Sequence, residues 1–155
     1  MSGLPQVVVY VEDVSGAAGN PAEADFQRWI AAAFAGRRAE AEVSIRIVGD
    51  AEGAELNSRY RGKTGPTNVL SFPAELPVGV PLPTVGDLVI CAPVVAREAQ
   101  AQGKESSAHW AHLTVHGCLH LIGYDHEHES EAAEMEAVET AILAGLGYPD
   151  PYTPR

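Results

Sequence analysis

Apolar and polar positions change period several times along this chain, and each change predicts an element. Gln6–Asp13 (QVVVYVED) is β-branched and bounded by Pro5 and the turn-like SGAAGNP, which predicts a strand. Asn20 before Pro21 makes a cap and first-turn pair, and AEADFQRWIAAAFAG after it predicts a helix ending near Gly36. AEVSIRIVG alternates Val43, Ile45 and Ile47 with Ser44 and Arg46, the pattern of a half-buried strand. A short helix is expected from near Asp50 to near Gly62, then a strand from about Thr67 to Phe72, stopped by Pro73. Beyond the proline- and glycine-rich PVGVPLPTVGD lie a strand in GDLVICAP, helices in VVAREAQAQ and SSAHWAHLTVHGCLHLIG, and a third helix from about Ser130 to Leu143. The tail GYPDPYTPR, with three prolines, is expected to be irregular. Four strands interleaved with helices predict an α+β (mixed α/β) fold: one compact domain over residues 1–155, with a mixed sheet of about four strands and a histidine-bearing helix at a metal cleft.

Composition narrows the picture. A chain of 155 residues with 46% apolar content can bury a real core. No apolar run approaches the roughly 20 residues that span a bilayer. No basic segment precedes Val7–Val11, so no signal peptide is read and a cytoplasmic protein is the default. Cys91 and Cys118, in apolar surroundings, are expected to be reduced core residues. The net charge of −11 gives no support to a general nucleic-acid-binding face. Seven acids (Asp125, Glu127, Glu129, Glu131, Glu134, Glu136, Glu139) crowd one segment, and a solvated helix face is the expectation for most of them.

The chemistry concentrates in HGCLHLIGYDHEH, His116–His128, which holds four of the six histidines. On a helix of about 100° per residue, His109, His112, His116 and His120 fall within an arc of about 80°. Imidazoles four residues apart can converge on one metal ion, while Cys118 faces the other way, into the core. A third ligand must come from beyond the helix, and Gly123 lets the chain turn to bring His126 round; spacing alone leaves His128 as a competitor. Three histidines with an open fourth position describe a catalytic zinc site. His109 and His112 lie further back as packing or surface residues, His112 being able to support the site by hydrogen bonding. The alternative is a polar histidine stripe that binds nothing. Gly117 stands where the zinc-peptidase motif H-E-x-x-H has its glutamate base, which turns the reading away from a peptidase.

HGCLHLIGYDH (His116–His126) resembles the YbeY family of bacterial endoribonucleases, whose motif is H-G-x-L-H-L-x-G-Y-D-H. LNSRYRGKTGPTNVLSFP, GDLVI, AHWAHL and the ending LGYPDPY resemble family segments in the family's order, from about Leu56 onward. The resemblance implies a zinc-dependent, single-strand-specific endoribonuclease acting in small-subunit ribosomal RNA maturation and ribosome quality control. It implies one zinc per chain at His116, His120 and His126, single-stranded or ribosomal RNA as partner, and contacts with small-subunit ribosomal proteins or assembly factors; no DNA or membrane is expected. It places a catalytic or substrate-holding arginine on Arg61.

Chemistry agrees about Arg61, because a guanidinium can meet two non-bridging phosphate oxygens as charge develops there. Arg59, Arg61 and Lys63 are three of only ten basic residues; Arg59 and Lys63 read equally well as solvated loop charges. Ser71 is expected either to face the cleft or to satisfy backbone. Asp125 either orients a histidine or caps the turn. Two rival readings stand: a non-catalytic ribosome-assembly or RNA-binding factor braced by zinc, and a metal hydrolase of another substrate.

Overall fold

The computed structural model describes residues 4–75, 82–124 and 128–152. Along the chain run β1 (Gln6–Asp13), α1 (Glu23–Phe34), β2 (Glu40–Val48), α2 (Asp50–Arg61), β3 (Val69–Pro73), β4 (Thr84–Cys91), α3 (Ala92–Gln102), α4 (Ser106–Leu121) and α5 (Glu129–Gly145). The strands form one sheet in the order β1-β2-β4-β3, with β1, β2 and β4 parallel and β3 antiparallel to β4. The result is the mixed sheet of an α+β fold.

The period of two in the strands explains the layering. Val9 pairs with Val43, Ile45 with Leu88 and Ile47 with Ile90, so one face of the sheet carries a continuous apolar surface. It packs against α1, whose Phe26, Trp29, Ile30, Ala33 and Phe34 recur at helical spacing and are fully buried, and against α4. The other face carries Tyr10, Ser44, Arg46 and Val89 and is covered in part by α2, where Arg46 is held between Glu12 and Glu52.

The expected cap of α1 differs. The helix starts at Glu23 behind Ala22, and the Asn20 amide is drawn into the preceding loop, donating to Asp13 Oδ2 at 2.8 Å and Ser15 Oγ at 3.1 Å. Asp25 takes over, its carboxylate accepting from the Ala22 backbone N–H. Among the described residues no helix is long and apolar enough to cross a membrane.

Candidate metal centre

α4 crosses the sheet where β3 and β4 pair, and Gly117 sets how close it comes. A Cβ at Gly117 would lie 2.8 Å from Leu88 Cδ2 and 3.3 Å from Ser71 Oγ, two residues that are themselves cross-strand partners. The helix is seated by the Ser71 hydroxyl, which donates to the Gly117 carbonyl at 3.2 Å while also bordering the cleft. A glutamate at Gly117, as in the peptidase motif, would collide with Leu88. The absence of that base is thus built into the packing.

The histidines share one face of α4, as their spacing requires, with ring centroids 6.1 Å apart for His109–His112 and His112–His116 and 4.5 Å for His116–His120. His109 and His112 are buried; His116 and His120 are half-buried and border a cleft of about 670 Å³. His116 Nδ1 lies 2.6 Å from Glu139 Oε2, and His120 Nδ1 lies 2.9 Å from the Tyr124 carbonyl. Burial alone would favour a neutral Glu139. The hydrogen bonds from His112 and His116 outweigh it and leave the carboxyl lowered to about 2, so it is an anion at neutral pH.

Those partners fix the tautomers. A carboxylate and a carbonyl can only accept, so both Nδ1 atoms carry the proton and both Nε2 atoms present lone pairs. The two Nε2 atoms face each other at 3.1 Å. Two ring nitrogens converging at that separation suit a shared cation. Two nitrogens bound to one tetrahedral zinc at about 2.0–2.1 Å stand about 3.3 Å apart, so the donor set fits a metal ion. Imidazole ligands backed by a carboxylate and a carbonyl are the usual outer arrangement of such sites.

His112, His116 and Glu139 also form a group that can hold a metal ion, with one ligand atom from each within 4.8 Å of the others. Both Glu139 oxygens in that group are engaged. Oε1 accepts from His112 Nε2 at 3.0 Å and from the Tyr152 hydroxyl, and Oε2 accepts from His116. As arranged, Glu139 stands behind the imidazoles and orients them.

Glu139 is the exception in the acidic segment, most of which is expected to be a solvated face: it is fully buried in α5 between Met135 and Leu143, four residues to either side. That apolar spacing was the available signal that Glu139 faces inward. Tyr152 lay in the tail expected to be irregular; residues 148–152 hold neither helix nor strand, but they carry this side chain to Glu139. Burial and the adjacent carboxylate push the Tyr152 phenol up, so its hydroxyl stays protonated and donates.

Arg61 ends α2, where Gly62 adopts the left-handed conformation (φ 66°) and stops the helix. Asn57 Nδ2 donates to the Gly65 carbonyl at 2.7 Å and pins the following loop, and Tyr60 meets Phe72 edge to face at 5.1 Å. Arg61 therefore lines the same cleft as His116, His120, Ser71 and Tyr124. Arg59 turns to Glu55 at 2.6 Å, and Lys63 lies on the exposed loop. His109 Nε2 meets Glu98 Oε1 at 2.9 Å, and that carboxylate also accepts from Asn68 on the cleft wall. Burial lowers the His109 pKa, against the Glu98 hydrogen bond. Cys118 is fully buried, as its position on the helix demands, and burial pushes its thiol up. His128 occupies the N-cap position of α5 without a side-chain cap hydrogen bond, while His126 and Asp125 lie outside the described residues. A cavity of about 650 Å³ on the α2 side of the sheet is lined by Glu12, Glu52 and Asp87 but by no histidine.

The profile of a family described as Endoribonuclease YbeY matches residues 14–147. A protein named Endoribonuclease YbeY from Xanthomonas axonopodis pv. citri is 59% identical over 139 residues, covering 87% of this chain and 86% of its own. One of the same name from Nitrosococcus oceani is 53% identical over 148 residues, covering 94% and 97%. The solution structure of a Thermotoga maritima protein shares the fold, with a TM-score of 0.59 at 20% identity over 94% of this chain and 99% of that one. On this match over most of its length, the chain belongs to the Endoribonuclease YbeY family.

Proposed function

We propose that this protein is a zinc-dependent endoribonuclease that cuts single-stranded RNA during ribosomal RNA maturation. The observation that carries the reading is the pair of Nε2 atoms 3.1 Å apart, each with its Nδ1 committed elsewhere, in one cleft with Arg61. His116 and His120 would hold zinc, with His126 as the third ligand by the motif. Zinc bound there supplies Lewis-acid polarisation of a phosphoryl oxygen and activation of water. Glu139 holds His116 in the tautomer that offers Nε2, and the Tyr124 carbonyl does the same for His120. The Arg61 guanidinium meets the non-bridging oxygens, where negative charge grows during cleavage. With Arg59 paired to Glu55, recognition of phosphate in the cleft rests on a local contact, as the net charge of −11 requires. The two buried free thiols fit a reducing cytoplasm. Small-subunit ribosomal proteins or assembly factors would bring the enzyme to its RNA.

The acidic balance favours a second reading, an assembly factor in which zinc only braces the cleft. Cleavage of a labelled single-stranded RNA by the wild type, His116→Ala and Arg61→Ala separates the two. The enzyme reading expects loss of cleavage in both variants with folding retained. Ribosome maturation sustained by a folded His116→Ala protein would establish the factor instead.

A further inference from the structure

The segment LGYPDPY has no part in the cleavage chemistry, yet its residues are held in a specific order. Tyr148 anchors it: the Tyr148 backbone N–H donates to the Leu143 carbonyl at 2.9 Å, and Trp29 Nε1 donates to the Tyr148 hydroxyl at 3.3 Å. Pro149 and Pro151 stiffen the chain beyond that anchor. The Asp150 carboxylate accepts from the Tyr152 backbone N–H at 2.8 Å, a turn that aims the Tyr152 side chain back at α4 and α5. Its ring packs edge-on against His112, with centroids 5.2 Å apart, and its hydroxyl reaches Glu139 Oε1.

We propose that Tyr152 is a positioning residue for the metal centre, acting through Glu139. The hydrogen bonds close a small triangle. Tyr152 donates to Oε1, and His112 Nε2–H is shared between Oε1 at 3.0 Å and the Tyr152 oxygen at 3.2 Å. With Oε1 engaged twice, the carboxylate cannot rotate, and Oε2 is reserved for His116. Tyr152 is 42% exposed while Glu139 is fully buried, so the hydrogen bond joins a group at the surface to one in the interior. Without the hydroxyl, Oε1 keeps one protein partner and admits water, and the hold on the His116 tautomer loosens.

This inference rests on the zinc reading, and its test keeps the two apart. Zinc affinity is measured by chelator competition on the whole protein for wild type, Tyr152→Phe, Tyr148→Phe, Glu139→Gln and the Tyr152→Phe/Glu139→Gln double variant, with the melting temperature of each metal-free form. Losing a partner in direct contact with a ligand weakens metal binding about 10–100-fold, so Tyr152, one step removed, should cost about 3- to 10-fold. That loss should vanish in the Glu139→Gln background, because the path runs through the carboxylate. Tyr148→Phe removes only the Trp29 and Arg28 hydrogen bonds to its hydroxyl, keeps the backbone anchor to Leu143 and does not touch Glu139, so it should leave zinc affinity unchanged. Unchanged affinity in Tyr152→Phe, an equal loss in Tyr148→Phe, or an undiminished loss in the double variant overturns the proposal. A wild type that binds no zinc removes the metal reading itself, and this inference with it.

Discussion

Replacing Glu139 by Gln keeps the shape of the side chain and removes its charge, which makes it the sharpest perturbation of the centre. The carboxylate accepts from three donors, His112, His116 and Tyr152. An amide must point its NH2 at one of them. If it faces His116, Nδ1 must accept, the proton moves to Nε2, and the lone pair meant for the metal is gone. If it faces His112 and Tyr152, that side of the triangle opens and Oε1 no longer locks the group. Hydrogen bonds to an ion contribute about 1.5–3 kcal/mol, against about 0.5–1.5 for neutral ones. Part of that difference is offset because a buried charge no longer needs to be desolvated. The metal-free variant should therefore lose about 2 kcal/mol in urea unfolding, and zinc binding should weaken about 10–100-fold in chelator competition. Zinc affinity within twofold of wild type would refute the assignment of Glu139 as the group that orients His116.

The same geometry sets three further outcomes. Gly117→Ala gains about 1 kcal/mol of helix propensity but drives a methyl into the fully buried Leu88, which costs about 1–3 kcal/mol, so thermal unfolding should show net destabilisation; a more stable variant would contradict the close seating of α4. Arg61→Ala should lower RNA cleavage by at least about tenfold at unchanged zinc content, whereas Arg59→Ala, already paired with Glu55, should stay near wild type; equal losses would show a diffuse basic surface instead. In the metal-free protein, the Glu139 pKa is lowered to about 2 from an ordinary 4.5, so its contribution is complete above about pH 4.5 and is lost as pH falls towards 2. The stability gap between wild type and Glu139→Gln should close across that window, and a gap that widens on acidification would reverse the sign of the argument.

Much of this was legible in the chain. β1 runs from Gln6 to Asp13 as its β-branched pattern and flanking turn residues require, and α1 buries the apolar stripe that helical spacing marks. The four-residue step from His116 to His120 placed two imidazoles side by side, because helix geometry is local and needs no tertiary knowledge. What escaped depends on contacts between distant segments. Asn20 was drawn from its capping role by Asp13 and Ser15, a competition that propensity does not weigh. Glu139 was hidden among acidic neighbours that are solvated, and only the Met135 and Leu143 spacing set it apart. Tyr152 belongs to a segment without regular structure, so no periodicity could announce which way it faces.

The central claim is that α4 holds a metal with which the protein cuts RNA. The most direct measurement is elemental analysis of purified wild type and of His116→Ala, His120→Ala, His126→Ala and His128→Ala, beside cleavage of a labelled single-stranded RNA by each. One zinc per chain is expected in the wild type and in His128→Ala, with both zinc and cleavage lost in the other three. Stoichiometric zinc that survives His116→Ala or His120→Ala, or cleavage that persists without metal, would contradict it.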